Sequence, residues 1–234
     1  MINKGIHPWR VLLEFAILIG LGIALTIPFN LWIYPAWGLP VPGPAPVRTV
    51  ILVVVATLFL GRLGKRWADF GLRWEGRLTR LVLLALLFLV LKLLLQNGVS
   101  WLRDAMDVPP VNYAFFQHIE GNTLALVLWV LVAWVAGGFA EEMLLRGYAM
   151  HRIAGVLGGH HKAWMIALVL QAVIFGLAHA YVGFGGVIFG FVSALFYGAI
   201  VLVCKKSLWP AILVHGLWDT LGFLVIYTQG IPEG

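Results

Sequence analysis

Seven long apolar segments dominate this 234-residue chain and limit the folds that are open to it. They lie at about 11–34, 47–62, 80–97, 122–145, 163–182, 184–204 and 208–228. A helix needs roughly 20 apolar residues to cross a bilayer, and most of these segments approach or reach that length. Apolar residues follow one another without the alternation that marks the strands of a membrane β-barrel. The sequence therefore predicts an all-α fold, a polytopic membrane helix bundle with about seven, at most eight, transmembrane helices.

Composition and charge support this class and indicate an orientation. Hydrophobic residues make up 62% of the chain and charged residues 11%, whereas soluble domains are about half apolar and a quarter charged. The net charge of +6 comes from basic residues in alternate connections, which does not indicate a nucleic-acid partner. By the positive-inside rule we expect a multi-pass protein of the cell membrane, with its N-terminus cytoplasmic and its C-terminus outside. No linker or repeat divides residues 1–234, so we expect a single integral-membrane domain.

Two adjacent glutamates close the fourth apolar segment. Glu141 and Glu142 are followed by Arg146, and carboxylates within apolar spans are rare and usually functional. On an α-helix Glu142 and Arg146 face each other, whereas Glu141 is rotated by about 100°. We expect an ion pair between Glu142 and Arg146 and a less compensated Glu141 that could act as a general base. A helix-end ion-pair cluster at the headgroups is the competing interpretation.

Two later segments carry histidines. Phe175 precedes His179 by four residues, so the ring can pack against the imidazole, and His215 precedes Asp219 by the same spacing. Either motif alone is more commonly a satisfied polar group of a helix bundle. Together with the glutamates, they predict convergence on one polar cavity, with a catalytic core at about 122–228.

Such convergence sets a requirement on helix length. Glu141 lies near one end of its span and His179 near the opposite end of the next span. The two can share a site if the fourth helix continues past Arg146 toward Arg152. Among the other ionisable groups within spans, Glu14 and Lys92 are expected to pair with each other or to extend toward the interface. The loop at about 97–122 is expected to form a cap.

The ordered motifs Glu-Glu-x-x-x-Arg, Phe-x-x-x-His and His-x-x-x-Asp over residues 141–219 resemble the CPBP family of intramembrane proteases. That family includes CAAX prenyl endopeptidases and bacteriocin-processing or immunity proteins. The resemblance implies a helical bundle whose conical cavity opens to the cytosol and to lipid. It implies that Glu141 activates water with help from His179, and that His215 and Asp219 stabilise the oxyanion. It assigns Glu142 and Arg146 to positioning the first motif.

One departure from the family pattern concerns Asp219, where the prenyl endopeptidases commonly have asparagine. Aspartate donates a hydrogen bond only when protonated, so Asp219 could instead orient His215 and keep it charged. Zinc ligation by the glutamates and histidines is chemically feasible. However, no His-Glu-x-x-His helix is present, and metal-free catalysis is favoured.

The predicted function is an intramembrane endopeptidase that cleaves a membrane-associated or lipidated, CAAX-like peptide or protein. One alternative is a non-catalytic membrane protein that binds a peptide in the same cavity, as an immunity protein would. A small transporter is a further alternative, although no inverted repeat is evident. Cys204, the single cysteine, lies at a predicted cytoplasmic boundary. The sequence is compatible there with either an inert thiol or an S-acylated one. Gly186 and Gly190 have the spacing that permits close helix packing.

Overall fold

The computed structural model describes residues 7–28 and 45–231, and the regular structure of these residues is entirely helical. Seven long helices follow one another: α1 Pro8–Pro28, α2 Ala45–Arg62, α3 Leu78–Ala105, α4 Thr123–Val156, α5 His161–Ala178, α6 Gly183–Val203 and α7 Trp209–Gln229. Short 3₁₀ helices lie at Trp67–Phe70, Ala114–Ile119 and Ala180–Val182. Within the described ranges, six helices, α1 and α3 to α7, are long and apolar enough to cross a membrane. The predicted all-α membrane bundle is confirmed.

The predicted spans correspond to these helices with shifted ends. The second predicted span, 47–62, corresponds to α2, which is not among the six. Residues 29–34 of the first predicted span lie outside the described residues.

Helix α4 carries the glutamates and is the longest element, 34 residues from Thr123 to Val156. It begins where the Asn122 side chain accepts a hydrogen bond from the Ala125 amide at 3.1 Å. Its central part, Ala133–Ala149, is a π-helix, in which each amide bonds the carbonyl five residues earlier. The expectation of α-helical geometry at the glutamates is therefore wrong. The expectation that this helix continues past Arg146 and Arg152 is confirmed.

Glycines allow the site-bearing helices to approach closely. A methyl group on Gly138 of α4 would lie 3.0 Å from the Ile212 carbonyl oxygen and 3.1 Å from the Gly216 amide of α7. A methyl group on Gly190 of α6 would lie 3.2 Å from the Gly176 Cα of α5. The close packing predicted from Gly186 and Gly190 is thus observed at Gly190, where α5 meets α6.

Glu14 and Lys92 do not pair with each other, and that prediction is wrong. Both carboxylate oxygens of Glu14 in α1 accept hydrogen bonds from Arg152 at 2.8 Å, and Tyr148 donates a third at 2.5 Å. Lys92 in α3 instead donates to the Ser193 hydroxyl of α6 at 2.5 Å. The reason is topological: α1 packs against α2 and α4, whereas α3 packs against α6 and α7.

The connection between α3 and α4 covers one end of the bundle. Residues 97–105 of the predicted loop at 97–122 are instead the end of α3, and the remainder contains the Ala114–Ile119 3₁₀ helix. Trp129 of α4 donates its indole N–H to His118 at 2.7 Å. The Asn112 amide donates to the Val182 carbonyl beside the end of α5 at 2.9 Å. These contacts fix the cap over the cavity described below.

Candidate active site

A cavity of about 440 Å³ lies among α4, α5, α6, α7 and the cap. Five residues singled out by the sequence motifs line it: Glu141, Phe175, His179, His215 and Asp219. The long α4 helix thus brings the glutamate to the same cavity as the histidine at the end of α5. Around these polar groups the wall is mainly aromatic and aliphatic. Its aromatic members include Tyr113, Phe116, Trp129, Tyr181, Phe189, Tyr197 and Trp218.

Glu142 and Arg146 are buried behind the wall rather than lining the cavity. Both side chains are 0% exposed, and Arg146 Nη1 lies 3.2 Å from Glu142 Oε1. This contact is an ion pair by distance, although its angle does not make it a hydrogen bond. The same carboxylate oxygen lies 2.8 Å from His215 Nδ1. Glu142 therefore connects α4 to α7 through His215, a contact that the sequence did not indicate.

Arg146 is stabilised mainly by rings and charge. Its guanidinium lies 4.8 Å from the Phe175 ring centroid and 5.4 Å from that of Tyr197, distances at which cation–π attraction operates. Its nitrogens and Glu142 Oε2 have no hydrogen-bond partner among the described residues. The Arg146 guanidinium lies beside the Glu142 carboxylate as its counter-ion. An ionised Glu142 can only accept, so His215 Nδ1 carries the proton between them.

Glu141 faces the opposite way from its neighbour. It is partly exposed to the cavity, and no hydrogen bond or ion pair to its carboxylate occurs within the described part of the chain. Although they are adjacent in sequence, Glu142 is thus paired and Glu141 is unpaired in the described structure. An unpaired carboxylate beside a cavity is free to accept a proton from a bound water.

His179 occupies the C-cap of α5, and its tautomer follows from its contact. Its Nδ1 lies 2.8 Å from the Phe175 carbonyl, four residues earlier. A carbonyl can only accept, so Nδ1 is the donor, and in the neutral imidazole Nε2 keeps its lone pair. The Phe175 ring packs on the imidazole with centroids 4.4 Å apart, as the spacing predicted. Gly190 leaves room for this arrangement, because a methyl group there would lie 3.1 Å from His179 Cγ.

His215 and Asp219 face each other across one turn of α7. His215 Nε2 lies 3.5 Å from Asp219 Oδ2, which is longer than an ordinary hydrogen bond. The Tyr197 ring stacks on the imidazole at 4.6 Å with an interplanar angle of 17°. Gly137 of α4 borders this pair, since a methyl group there would lie 2.9 Å from Asp219 Oδ2. The imidazole is held by Glu142 on one side and by Tyr197 on its face.

Motif reasoning did not identify Tyr197, Ser193 and Gly137. Nothing in the sequence marks Tyr197 or Ser193, because both lie in an apolar helix without ionisable neighbours. Gly137 and Gly138 did give a signal: two glycines directly before the glutamates indicate that another helix approaches closely there.

The metal expectation can be compared with the geometry. Within the described ranges, no group of three or more histidine, cysteine, aspartate or glutamate side chains is arranged to hold a metal ion. The Nδ1 atoms of His215 and His179 are bound to Glu142 and the Phe175 carbonyl, and their Nε2 atoms are left for the cavity, an arrangement that metal-ligating histidines also have. The described residues thus contain no preformed group of three ligands, and metal-free catalysis stays a prediction.

Comparison with known proteins agrees with the motifs. Residues 123–221 match the family described as Rce1-like, type II CAAX prenyl endopeptidase Rce1-like. This match supports the CPBP/CAAX protease family for the region from α4 to α7. The match runs from the start of α4 into α7 and includes every residue of the three motifs. No curated protein and no solved structure matches the chain. The resemblance recognised in the sequence is confirmed, and the chain is an integral multi-pass membrane protein.

Proposed function

We propose that this protein is an intramembrane endopeptidase that hydrolyses a peptide bond of a membrane-associated or lipidated, CAAX-like substrate. The observation that supports this most is the pairing of two proton acceptors in one cavity. Glu141 has a carboxylate without a partner in the described structure, and His179 directs a tautomer with a free Nε2 into the same space. A base beside a water-sized space is what peptide hydrolysis requires.

The proposed reaction begins with a water held between Glu141 and His179. Glu141 takes a proton as the water oxygen bonds to the scissile carbonyl carbon, and the carbonyl π electrons move to oxygen. His215 then faces the developing oxyanion with its Nε2–H when protonated, stabilised by Asp219 and Glu142. The oxyanion then re-forms the carbonyl as the C–N bond breaks, and the proton held by Glu141 passes, directly or through His179, to the leaving amine. No metal takes part in this scheme.

The substrate class follows from the lining of the cavity. Aromatic and aliphatic side chains form most of its wall, so an apolar or lipidated peptide segment can enter at low desolvation cost. The charge distribution along the sequence supports a cytoplasmic N-terminus and an outer C-terminus.

The test uses the purified full-length chain in proteoliposomes with a fluorogenic lipidated CAAX-like peptide. We expect cleavage by the wild type, and its loss in Glu141→Gln and His179→Ala without a change in folding. Glu75→Gln is the matched control, because that carboxylate is 78% exposed and far from the motifs in the sequence. Full activity of Glu141→Gln would refute the mechanism.

The same assay distinguishes the alternative of a peptide-binding protein. If the wild type binds the peptide with the affinity of Glu141→Gln and neither cleaves it, the cavity serves for binding alone. Activity that is lost on chelation and regained with zinc would overturn the metal-free scheme.

A further inference from the structure

Lys92 is a buried cation for which the proposed reaction has no role. It is 0% exposed in the middle of α3, a helix that carries none of the three motifs. Its ammonium group donates to the Ser193 hydroxyl at 2.5 Å. Three aromatic rings surround it, with centroids 4.9 Å away for Phe189, 5.1 Å for Trp218 and 5.5 Å for Tyr197. Rings at these distances stabilise the charged form of a lysine.

The position of Lys92 connects it to the site. Ser193, Phe189, Tyr197 and Trp218 all line the cavity, so the ammonium lies directly behind its wall. Asp219 directly follows Trp218 in α7, the residue whose ring centroid lies 5.1 Å from the Lys92 ammonium. Since no hydrogen bond to the Asp219 carboxylate occurs in the described residues, Lys92 acts on it through charge rather than through a direct bond.

When all six ionisable groups carry their charges, those of the buried cluster cancel only if Lys92 is included. The carboxyl groups are Glu141, Glu142 and Asp219, and the cations are Arg146, protonated His215 and Lys92. His179 remains neutral in the tautomer described above, and Tyr197, which faces both Lys92 and Arg146, is an uncharged phenol. Without Lys92 the cluster would carry one uncompensated negative charge in a region shielded from water, which is costly.

We propose that Lys92 is a positioning residue that supplies the counter-charge of Asp219 in the buried cluster beside the cavity. It acts on catalysis through Asp219 and His215 and through the protonation state of Glu141, and it does not touch the substrate. This inference rests on the proposed protease function for its effect on activity, but its effect on stability does not depend on that function.

The test is a double-mutant cycle of Lys92→Met and Asp219→Asn in the full-length chain. At neutral pH we expect the cleavage rate of Lys92→Met to be lower than that of the wild type by about tenfold or more. The acid limb of its pH–rate profile should move to higher pH, because a cluster with excess negative charge retains a proton more strongly. Asp219→Asn alone should move that limb to lower pH. In the double variant, both the acid limb of the pH–rate profile and the cleavage rate should return toward the wild-type values.

Thermal unfolding of the same four proteins gives a second readout that needs no activity. Each single variant should unfold at a lower temperature than the wild type. The double variant should lose less stability than the sum of the losses in the two single variants. The matched comparison is Lys92→Met with Glu142→Gln, which should give no such recovery because Arg146 and His215 already pair with Glu142.

The outcomes separate the two proposals. Recovery of stability in the double variant with no cleavage by any protein would support the Lys92–Asp219 pair and refute the protease. Cleavage by the wild type with strictly additive losses and an unmoved pH profile in Lys92→Met would refute the pair alone. If Lys92→Met fails to fold, folding of the double variant supports the pair, and failure of the double variant refutes it.

Discussion

Neighbouring glutamates in this protein have opposite environments, and that difference is the basis of the proposed site. Glu142 is enclosed by Arg146 and His215, whereas Glu141 faces the cavity without a partner in the described structure. The paired carboxylate orients its neighbours through these contacts. An unpaired one at a cavity can exchange a proton with water. In the proposed mechanism, Glu142 thus positions its neighbours, and Glu141, one residue away, takes part in the chemistry.

The role of Glu142 predicts a loss of stability on neutralisation. Glu142→Gln should lower the free energy of unfolding by about 3–5 kcal/mol, because it leaves Arg146 buried without its counter-charge. It should also reduce cleavage, since His215 loses a charged acceptor. Chemical unfolding in detergent measures the first effect, with the exposed Glu75→Gln as control. Unchanged stability of Glu142→Gln would show that Arg146 does not depend on this carboxylate.

At the scale of elements, the contact between α4 and α7 determines whether the motifs meet. Gly138 and Gly216 let the two backbones come together, and the Trp134 ring lies where a side chain on Gly216 would project, 2.8 Å from a methyl group there. The π-helical part of α4 lies at this contact, and such segments are frequent at functional sites.

Gly138→Ala should therefore separate α4 from α7. The added methyl group would meet backbone atoms, which cannot move aside as a side chain can, so we expect a loss of about 2–3 kcal/mol and a large loss of cleavage. Gly20→Ala is the control, because that position has open space in α1 and alanine is the better helix former. Equal stability of the two variants in thermal unfolding would contradict this packing.

At the scale of the whole molecule, a second buried polar cluster holds α1 against α4. Glu14, Tyr148 and Arg152 form it, and none of them lines the cavity. The cluster therefore contributes to assembly of the bundle rather than to the reaction.

Glu14→Gln should lower the free energy of unfolding by about 3 kcal/mol, because Arg152 is only 4% exposed and would keep its charge without a counter-ion. Cleavage per folded molecule should stay near the wild-type value. Thermal unfolding and the proteoliposome assay measure the two effects. A large loss of specific activity in fully folded Glu14→Gln would show that α1 is coupled to the site.

The sequence predicted the helical class and the residues that meet in the cavity, because length, hydropathy and motif order are local properties. It did not predict the partners of Glu14 and Lys92, since these depend on which helices are neighbours. The Glu142–His215 contact and the stacking of Tyr197 were missed for the same reason. The π-helix was missed because nothing in local propensity distinguishes its hydrogen bonds from those of an α-helix.

The two sides of the cavity differ in how firmly the backbone holds them. The glutamates lie in the middle of a 34-residue helix, whereas His179 lies where α5 ends and a short turn leads into α6. Gly183, at the end of that turn, has a φ of 86°, and the Val182 carbonyl binds the cap. A bulky ligand would therefore be accommodated mainly by the turn that carries His179 and by the cap, while the Glu141 carboxylate keeps its place.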